Sequence, residues 1–227
     1  MCDKFIKGLE NLTTGMEGGD VTRFDVHIWH IFRNFNPAKD ISIITLNYTH
    51  TIEKLTKYLE FDSKISSNNK VVDDIIHLHG ELDDTIVIGV DNEAQIANDD
   101  FKNNEAIKDI LVKEQSNFVM KNGNAYRCRQ LISKANIIVL YGVSLGETDA
   151  RWWKYIGDVL VKTSNTLIIQ HIFNPKYKNL RTRRQQLGRM EREALEILSS
   201  KLNIDKKLLN DLRDRIFFIY NSTAFGN

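Results

Sequence analysis

The chain has 227 residues, of which 42% are hydrophobic and 27% are charged, ordinary proportions for a globular protein with a full core. Its 31 basic and 30 acidic residues give a formal net charge of +1, which excludes a general attraction to nucleic acid or to an anionic membrane. No apolar run approaches the roughly 20 residues that cross a bilayer, and the N-terminus lacks a signal-peptide pattern. We therefore predict a cytoplasmic protein without a membrane partner. Its two cysteines, Cys2 and Cys128, predict free thiols.

Hydrophobic periodicity predicts a single α/β domain over residues 1–227. Residues 1–40 form an N-terminal helical segment whose main helix covers 22–35. Residues 41–173 form a core in which strands alternate with helices, and residues 174–227 add C-terminal helices and a last strand.

Alternating strands and helices predict a mostly parallel, doubly wound sheet of the Rossmann type, with helices on both faces and helical insertions. The polar stretch 94–118 has helical spacing and is the main insertion. The run 137–142 shows no period-2 alternation, which is typical of a strand covered on both faces, so we expect a central strand there. The predicted strands cover 41–46, 71–78, 85–90, 137–142, 166–173 and 215–220.

Polar or turn residues follow three of these strands. Asn47 follows the first strand, His79 the second, and a turn from Gly142 to Asp149 follows the strand 137–142. Because ligands of open parallel sheets bind outside the carboxyl ends of the strands, we expect these residues to share one rim. The glycines of the turn allow close approach of a ligand, and Asp149 lies near a helix start, where a carboxylate suits the dipole.

The segments that carry these residues resemble motifs of the bacteriophage abortive-infection AbiH family, in the same order. More distantly, they resemble the sirtuin-like Rossmann domains of bacterial NAD-consuming defence proteins. The resemblance covers about half of the chain, from Ser42 to Tyr155, and implies an antiphage protein that binds NAD or a related nucleotide and hydrolyses the nicotinamide–ribose bond. The segments are TLNYT at Thr45–Thr49, HLHG at His77–Gly80, IVIGVD at Ile86–Asp91 and YGVSLGETD at Tyr141–Asp149.

The resemblance also implies roles for individual residues. Asn47 matches the asparagine that lies against the nicotinamide ribose and orients water, and His79 matches the histidine that serves as the base. Ser144 and the backbone of Gly142 would approach the adenosine side of the cofactor, and Asp149 would brace the turn. The other implied cofactor-binding residues are Thr45, Tyr48, Gly80 and Leu145.

These residue types suit the chemistry. A histidine with an unperturbed pKa of about 6.5 can deprotonate a nucleophile near neutral pH. A neutral amide can donate and accept hydrogen bonds without a charge that must be desolvated. Water as the nucleophile would make the protein an NAD glycohydrolase.

One family feature has no counterpart in the sequence. The family opens with a glycine-rich strand and turn of the form GNGFD, whose helix N-terminus would hold phosphates. Nothing before Ile41 matches it, and MEGGD at Met16–Asp20 follows no strand. A late start, a truncated or split gene product, and a degenerate relative that senses nucleotide without catalysis all stay open.

A serine hydrolase is an alternative, because Gly142–Gly146 also has the G-x-S-x-G spacing of a nucleophile elbow. That fold requires an acid and then a histidine after the serine. The only downstream histidine, His171, lies inside the apolar run 166–173 instead of in a late loop.

Nucleic-acid or partner-protein binding without catalysis is a further alternative. Residues 181–192, RTRRQQLGRMER, cluster arginines on a predicted helix, where they could neutralise phosphates. The competing interpretation is a solvated face with i, i+4 pairs such as Arg189 with Glu193.

The sequence predicts no metal site. His27 and His30 share a predicted helix face, and His77 and His79 alternate at a strand end, but neither pair has a third ligand nearby in the sequence. The oligomeric state cannot be predicted from these patterns.

Overall fold

The computed structural model describes residues 41–54, 72–119, 123–173 and 184–220, with the side chains of 184–187 excepted. The chain divides into two compact units. The first, the two-stranded unit, comprises the described parts of Asp40–Lys134 and Leu145–Tyr155. The second, the three-stranded unit, comprises those of Ala135–Ser144 and Ile156–Asn227. The predicted N-terminal helix lies outside the described residues.

In the two-stranded unit, strands β1 (Ile41–Thr45) and β2 (Val72–His77) pair in parallel, with Thr45 opposite His77. Residues 51–54 after β1 are helical. Because the strands are parallel and Thr45 is opposite His77, the carboxyl ends of both strands lie at the same edge of the pair. The remaining elements are a 3-10 turn (Glu93–Gln95), α1 (Asp99–Lys102), α2 (Glu105–Leu111), α3 (Lys113–Val119) and α4 (Asn124–Lys134).

The predicted helical insertion is confirmed, although it consists of short helices. Its asparagines begin new helices, since the side chain of Asn98 accepts the Phe101 N–H at 3.1 Å and that of Asn104 accepts the Ile107 N–H at 3.3 Å. The last helix, α4, packs on the strand pair, where Cys128 is buried with Ile76 and Leu78. The alternation of polar caps and apolar residues thus explains both the helices and their breaks.

The predicted strand over 85–90 is wrong. Only Val90 makes a bridge, an isolated parallel one with Val112 at the junction of two helices. Val87 is fully buried, yet its N–H donates to the carbonyl oxygen of His79 at 2.8 Å and does not join a ladder. Val87 is buried within irregular backbone and Ile88 is 68% exposed, so the apolar run was mistaken for a paired strand.

In the three-stranded unit, β3 (Ile137–Leu140), β4 (Leu167–Ile172) and β5 (Ile216–Tyr220) pair in parallel in that order. The helix α5 (Ala150–Lys162) connects β3 to β4, and its first six residues are assigned to the two-stranded unit. Between β4 and β5 the described elements are α6 (Arg184–Lys201), α7 (Lys206–Leu212) and a 3-10 turn (Arg213–Arg215).

The central strand of this sheet is β4, and the expectation that 137–142 would be central is wrong for the described strands, since β3 pairs only with β4. Leu167, Ile168 and Ile169 are all buried, whereas Ile137 and Val139 are half-buried. Both runs are uniformly apolar, so periodicity could not tell which has a partner on each side.

The parallel α/β class is confirmed, because all three described strand pairings are parallel and helices separate the strands. The described strands form two small sheets instead of one doubly wound sheet, and the Rossmann and single-domain assignments stay predictions. Among the described helices, none has the length and apolar character that crossing a membrane requires.

Cys128 should resist alkylation in the folded protein. Its side chain is fully buried, and burial raises the pKa of its thiol from an ordinary value near 9.0 to about 12. Because the thiolate is the nucleophile, we expect Cys128 to react with iodoacetamide about a thousandfold more slowly before unfolding than in guanidinium, measured by peptide mass spectrometry. Equal rates in the two conditions would contradict this burial.

Candidate functional site

The end of β1 positions Asn47. Thr45 is 5% exposed, and its Oγ1 accepts the backbone N–H of Asn47 at 3.1 Å. The side chain of Asn47 is exposed, so its amide is accessible to a ligand. Thr45 lies opposite His77 in the parallel register, and therefore Asn47 and His79 both lie two residues beyond a matched pair. Thr45 acts here as a residue that orients its neighbour.

His79 lies beside Asp149. The histidine is 4% exposed, and its Nε2 lies 2.8 Å from Asp149 Oδ1. Apart from this contact, neither ring nitrogen has a hydrogen-bond partner within the described part of the chain. The Nδ1 atom therefore keeps its hydrogen-bonding capacity.

Lys113 contacts the same carboxylate oxygen of Asp149 as His79 does. The first residue of α3, it donates through Nζ to Asp149 Oδ1 at 2.8 Å and to the carbonyl oxygen of Thr148 at 2.9 Å. Burial alone would raise the pKa of the Asp149 carboxyl, but His79 and Lys113 outweigh it and lower this pKa from about 3.8 to about 2. The carboxylate is therefore ionised at every physiological pH. No sequence pattern marks Lys113, one of three lysines in the polar insertion 94–118.

Tyr48 belongs to the same neighbourhood. Burial raises the pKa of its hydroxyl, and the charge of Asp149 raises it further. The hydroxyl thus stays protonated and can donate a hydrogen bond. The carbonyl oxygen of Tyr48 accepts the N–H of Leu82 at 3.0 Å, which ties the segment after β1 to the segment after β2.

Gly80 allows the chain to reverse after His79. Its φ of +81° lies in the left-handed region, and its N–H donates to the carbonyl oxygen of His77 at 3.2 Å. A Cβ atom would lie 1.7 Å from the carbonyl oxygen of Thr85. Its observed role is thus conformational, and its implied cofactor contact stays a prediction.

The turn after β3 contains two left-handed residues. Gly142 has a φ of +64° and Ser144 is exposed, and both belong to the three-stranded unit. Leu145 has a φ of +51° although its side chain is 3% exposed, an uncommon conformation for a residue with a Cβ. Such strain clusters at functional turns. The roles implied for these three residues stay predictions.

Gln95, which follows the segment Ile86–Asp91, makes a hydrogen bond to the backbone of the C-terminal half of the turn 142–149. Gln95 Oε1 accepts the Asp91 N–H at 2.8 Å, and Gln95 Nε2 donates to the carbonyl oxygen of Glu147 at 2.9 Å. Arg151 Nη2 donates to the carbonyl oxygen of Asp91 at 3.3 Å. Two of the motifs named above therefore meet here and fix the backbone beside Asp149.

The serine-hydrolase alternative lacks its structural context. Helix α5 begins only at Ala150, after a 3-10 turn, so Ser144 is not on a sharp strand-to-helix elbow. Asp149 is engaged by His79 and Lys113. His171 is buried in β4, where its ring packs edge-on against Tyr141 at 5.3 Å between centroids.

A second polar cluster surrounds His77. Its Nδ1 lies 2.7 Å from the carbonyl oxygen of Asn47, its Nε2 lies 2.5 Å from Glu53 Oε1, and its ring centroid lies 5.7 Å from that of His50. Burial lowers the pKa of His77, but the hydrogen bonds to Glu53 and Asn47 and the charges of Glu53 and Glu81 together outweigh it, and the net effect is a raised pKa. Because β2 ends at His77, strand alternation does not extend to His79, and the two rings have different partners.

The described part of the basic segment contains the predicted ion pair. Arg189 Nε lies 3.3 Å from Glu193 Oε1 on α6. The arginines at 181 and 183 lie outside the described residues, and nucleic-acid binding by the segment stays a prediction.

The described residues thus define a parallel α/β protein with a histidine–carboxylate pair beyond two matched strand ends. Residues 10–171 match the model of the family described as bacteriophage abortive infection AbiH, which is more than half of the chain. The chain belongs to this family, as its motifs indicated, and the membership supports a role in antiphage defence by abortive infection. Comparison with curated proteins and with solved structures gave no match.

Proposed function

We propose that this AbiH-family protein binds NAD or a related nucleotide at the carboxyl ends of β1 and β2 and hydrolyses its nicotinamide–ribose bond. The observation that carries the proposal is the buried His79–Asp149 pair, in which Nδ1 of His79 has no hydrogen-bond partner among the described residues, together with the exposed Asn47 two residues beyond β1. A base with spare hydrogen-bonding capacity and a neutral orienting group are what the reaction requires. The resemblance to sirtuin-like NAD-consuming domains supports NAD as the substrate.

In this mechanism water attacks the anomeric carbon of the nicotinamide ribose as the bond to the nicotinamide nitrogen breaks. Asn47 orients the water, and His79 accepts its proton, so the products are nicotinamide and ADP-ribose. Asp149 stabilises the imidazolium that forms, because its carboxylate lies 2.8 Å from Nε2 and is ionised. Burial of the pair strengthens this interaction, since the local dielectric is low.

Tyr48 and Lys113 complete the site. The protonated hydroxyl of Tyr48 would donate to a ribose or phosphate oxygen. Lys113 keeps the Asp149 carboxylate in place through its contact at 2.8 Å. Consumption of NAD would halt the metabolism of an infected cell, which fits the abortive-infection role of the family.

Turnover by the purified full chain tests the proposal. We expect NAD cleavage, followed by chromatography of nicotinamide, to fall roughly 100-fold in Asn47→Ala and in His79→Gln, because each removes a group that acts on the attacking water. Circular dichroism establishes that the variants are folded. Asn165→Ala, which changes an exposed asparagine in the turn after α5, is the matched control and should retain wild-type turnover.

The outcomes separate the alternatives. Turnover that survives in folded His79→Gln would overturn the assignment of the base. NAD binding without cleavage by the wild type would favour a nucleotide sensor. A folded wild type that neither binds nor cleaves NAD would overturn the proposal.

A further inference from the structure

We propose that His50, Glu53 and His77 form a binding site for a divalent transition-metal ion of the zinc type, distinct from the His79–Asp149 pair. Each residue offers one ligand atom, and these atoms all lie within 4.8 Å of one another. Two imidazoles and one carboxylate are a donor set that zinc takes in three-ligand sites, with a fourth position left for water or substrate.

The backbone fixes which nitrogen of His77 is available. Its Nδ1 lies 2.7 Å from the carbonyl oxygen of Asn47, which can only accept, so Nδ1 carries the hydrogen. Nε2 therefore faces Glu53 Oε1, 2.5 Å away, and this nitrogen and the carboxylate can share one bound cation. A histidine whose second nitrogen donates to a carbonyl group is the usual outer-shell arrangement of a metal ligand.

Both ring nitrogens of His50 lie near carboxylates. Its Nδ1 lies 3.5 Å from Glu81 Oε2, and its Nε2 lies 3.3 Å from Asp83 Oδ2. With one ring nitrogen on the ion, the other would donate to its own carboxylate and fix the ring. Together with Glu53 these acids make the surroundings negative, which favours a dication.

The three ligand atoms, now within 4.8 Å of one another, must rearrange to enclose an ion. Ligand atoms about 2.1 Å from a tetrahedral ion lie about 3.4 Å apart, so Glu53 would have to retreat by about 1 Å from His77. The side chain of Glu53 is 25% exposed and flexible, whereas that of His77 is fully buried and fixed by its contact with Asn47. Imidazole ligands favour zinc-type ions over magnesium or calcium, which prefer oxygen.

Metal binding to the full chain, freed of metal by a chelator, tests this site. We expect calorimetry to show about one Zn²⁺ per chain, and Co²⁺ to give the visible absorption bands of a low-symmetry site. His50→Gln and Glu53→Gln should weaken Zn²⁺ binding by at least roughly tenfold. They alter partly exposed side chains and should leave the fold intact, whereas a change at buried His77 risks unfolding.

Two controls locate the ion. Glu191→Gln changes an exposed glutamate on α6, and a double change of His27 and His30 to Gln removes the other histidine pair of the sequence; both should retain Zn²⁺ affinity. Absence of binding by the folded wild type, or affinity unchanged in His50→Gln and Glu53→Gln, would overturn the proposal. Since the readout is metal binding, it is independent of NAD turnover.

Discussion

Gly80→Ala should lower the free energy of unfolding by about 4 kcal/mol, because it combines a severe clash with a strained backbone conformation. The new Cβ would lie 1.7 Å from the carbonyl oxygen of Thr85, and φ is +81°. Relief requires the segment up to Val87 to move, and Val87 is buried and bonded to the carbonyl oxygen of His79. Urea unfolding followed by circular dichroism gives the change.

Gly123→Ala is the matched control. It lies just before α4, where no heavy atom is within 4 Å of the position that a Cβ would occupy. We expect stability within about 1 kcal/mol of the wild type, since alanine there mainly restricts the unfolded chain. Equal urea midpoints for the two variants would show that the turn at Gly80 does not constrain the fold. If Gly80→Ala remains partly folded, His79 should be displaced and NAD cleavage should fall with it.

The strands were predictable to within about two residues because burial and periodicity dominate them. Patterns of apolar residues located all five described strands, and polar breaks located the helical insertion. The strand prediction for 85–90 was wrong because Val87 is buried where the chain folds back after Gly80, a tertiary effect that no local pattern records.

The candidate site was predictable only where motifs mark it. The resemblance indicated Asn47, His79 and Asp149, and the structure brings the last two within 2.8 Å. Lys113 lies 36 residues from Asp149 in the chain, and no spacing rule connects a lysine in a polar helix with that carboxylate. Charge pairs of this separation emerge only from packing.

The metal ligands were likewise not predictable from the sequence, because they are far apart in the chain. In the sequence, His77 and His79 are a candidate pair of metal ligands because strand alternation places them on one face. No third ligand lies near them in the sequence. In the structure β2 ends at His77, and the helical residues after β1 bring His50 and Glu53 to it instead. Residues that are 24 positions apart become neighbours because β1 and β2 are parallel and in register.

Asp149→Asn should lower the free energy of unfolding by about 3 kcal/mol near neutral pH, since it removes the charge partner of a largely buried lysine. The side chain of Lys113 is 13% exposed, and its Nζ lies 2.8 Å from Asp149 Oδ1. An amide oxygen can still accept a hydrogen bond but cannot neutralise the ammonium group. Urea unfolding at neutral pH measures the loss, and the NAD cleavage proposed above should fall as well because His79 loses its carboxylate.

Acid titration distinguishes this charge effect from a packing defect. The pKa of Asp149 is about 2 in the folded protein against about 3.8 in the unfolded chain, so the carboxylate adds about 2 kcal/mol of stability above both values. That contribution is lost as the pH falls through 3.8 toward 2. The stability gap between the wild type and Asp149→Asn should therefore narrow by about 2 kcal/mol over this range. Asp158→Asn, at an exposed position of α5, should follow the wild type at every pH. A gap between the wild type and Asp149→Asn that stays constant in acid would show that the charge of Asp149 does not stabilise the fold.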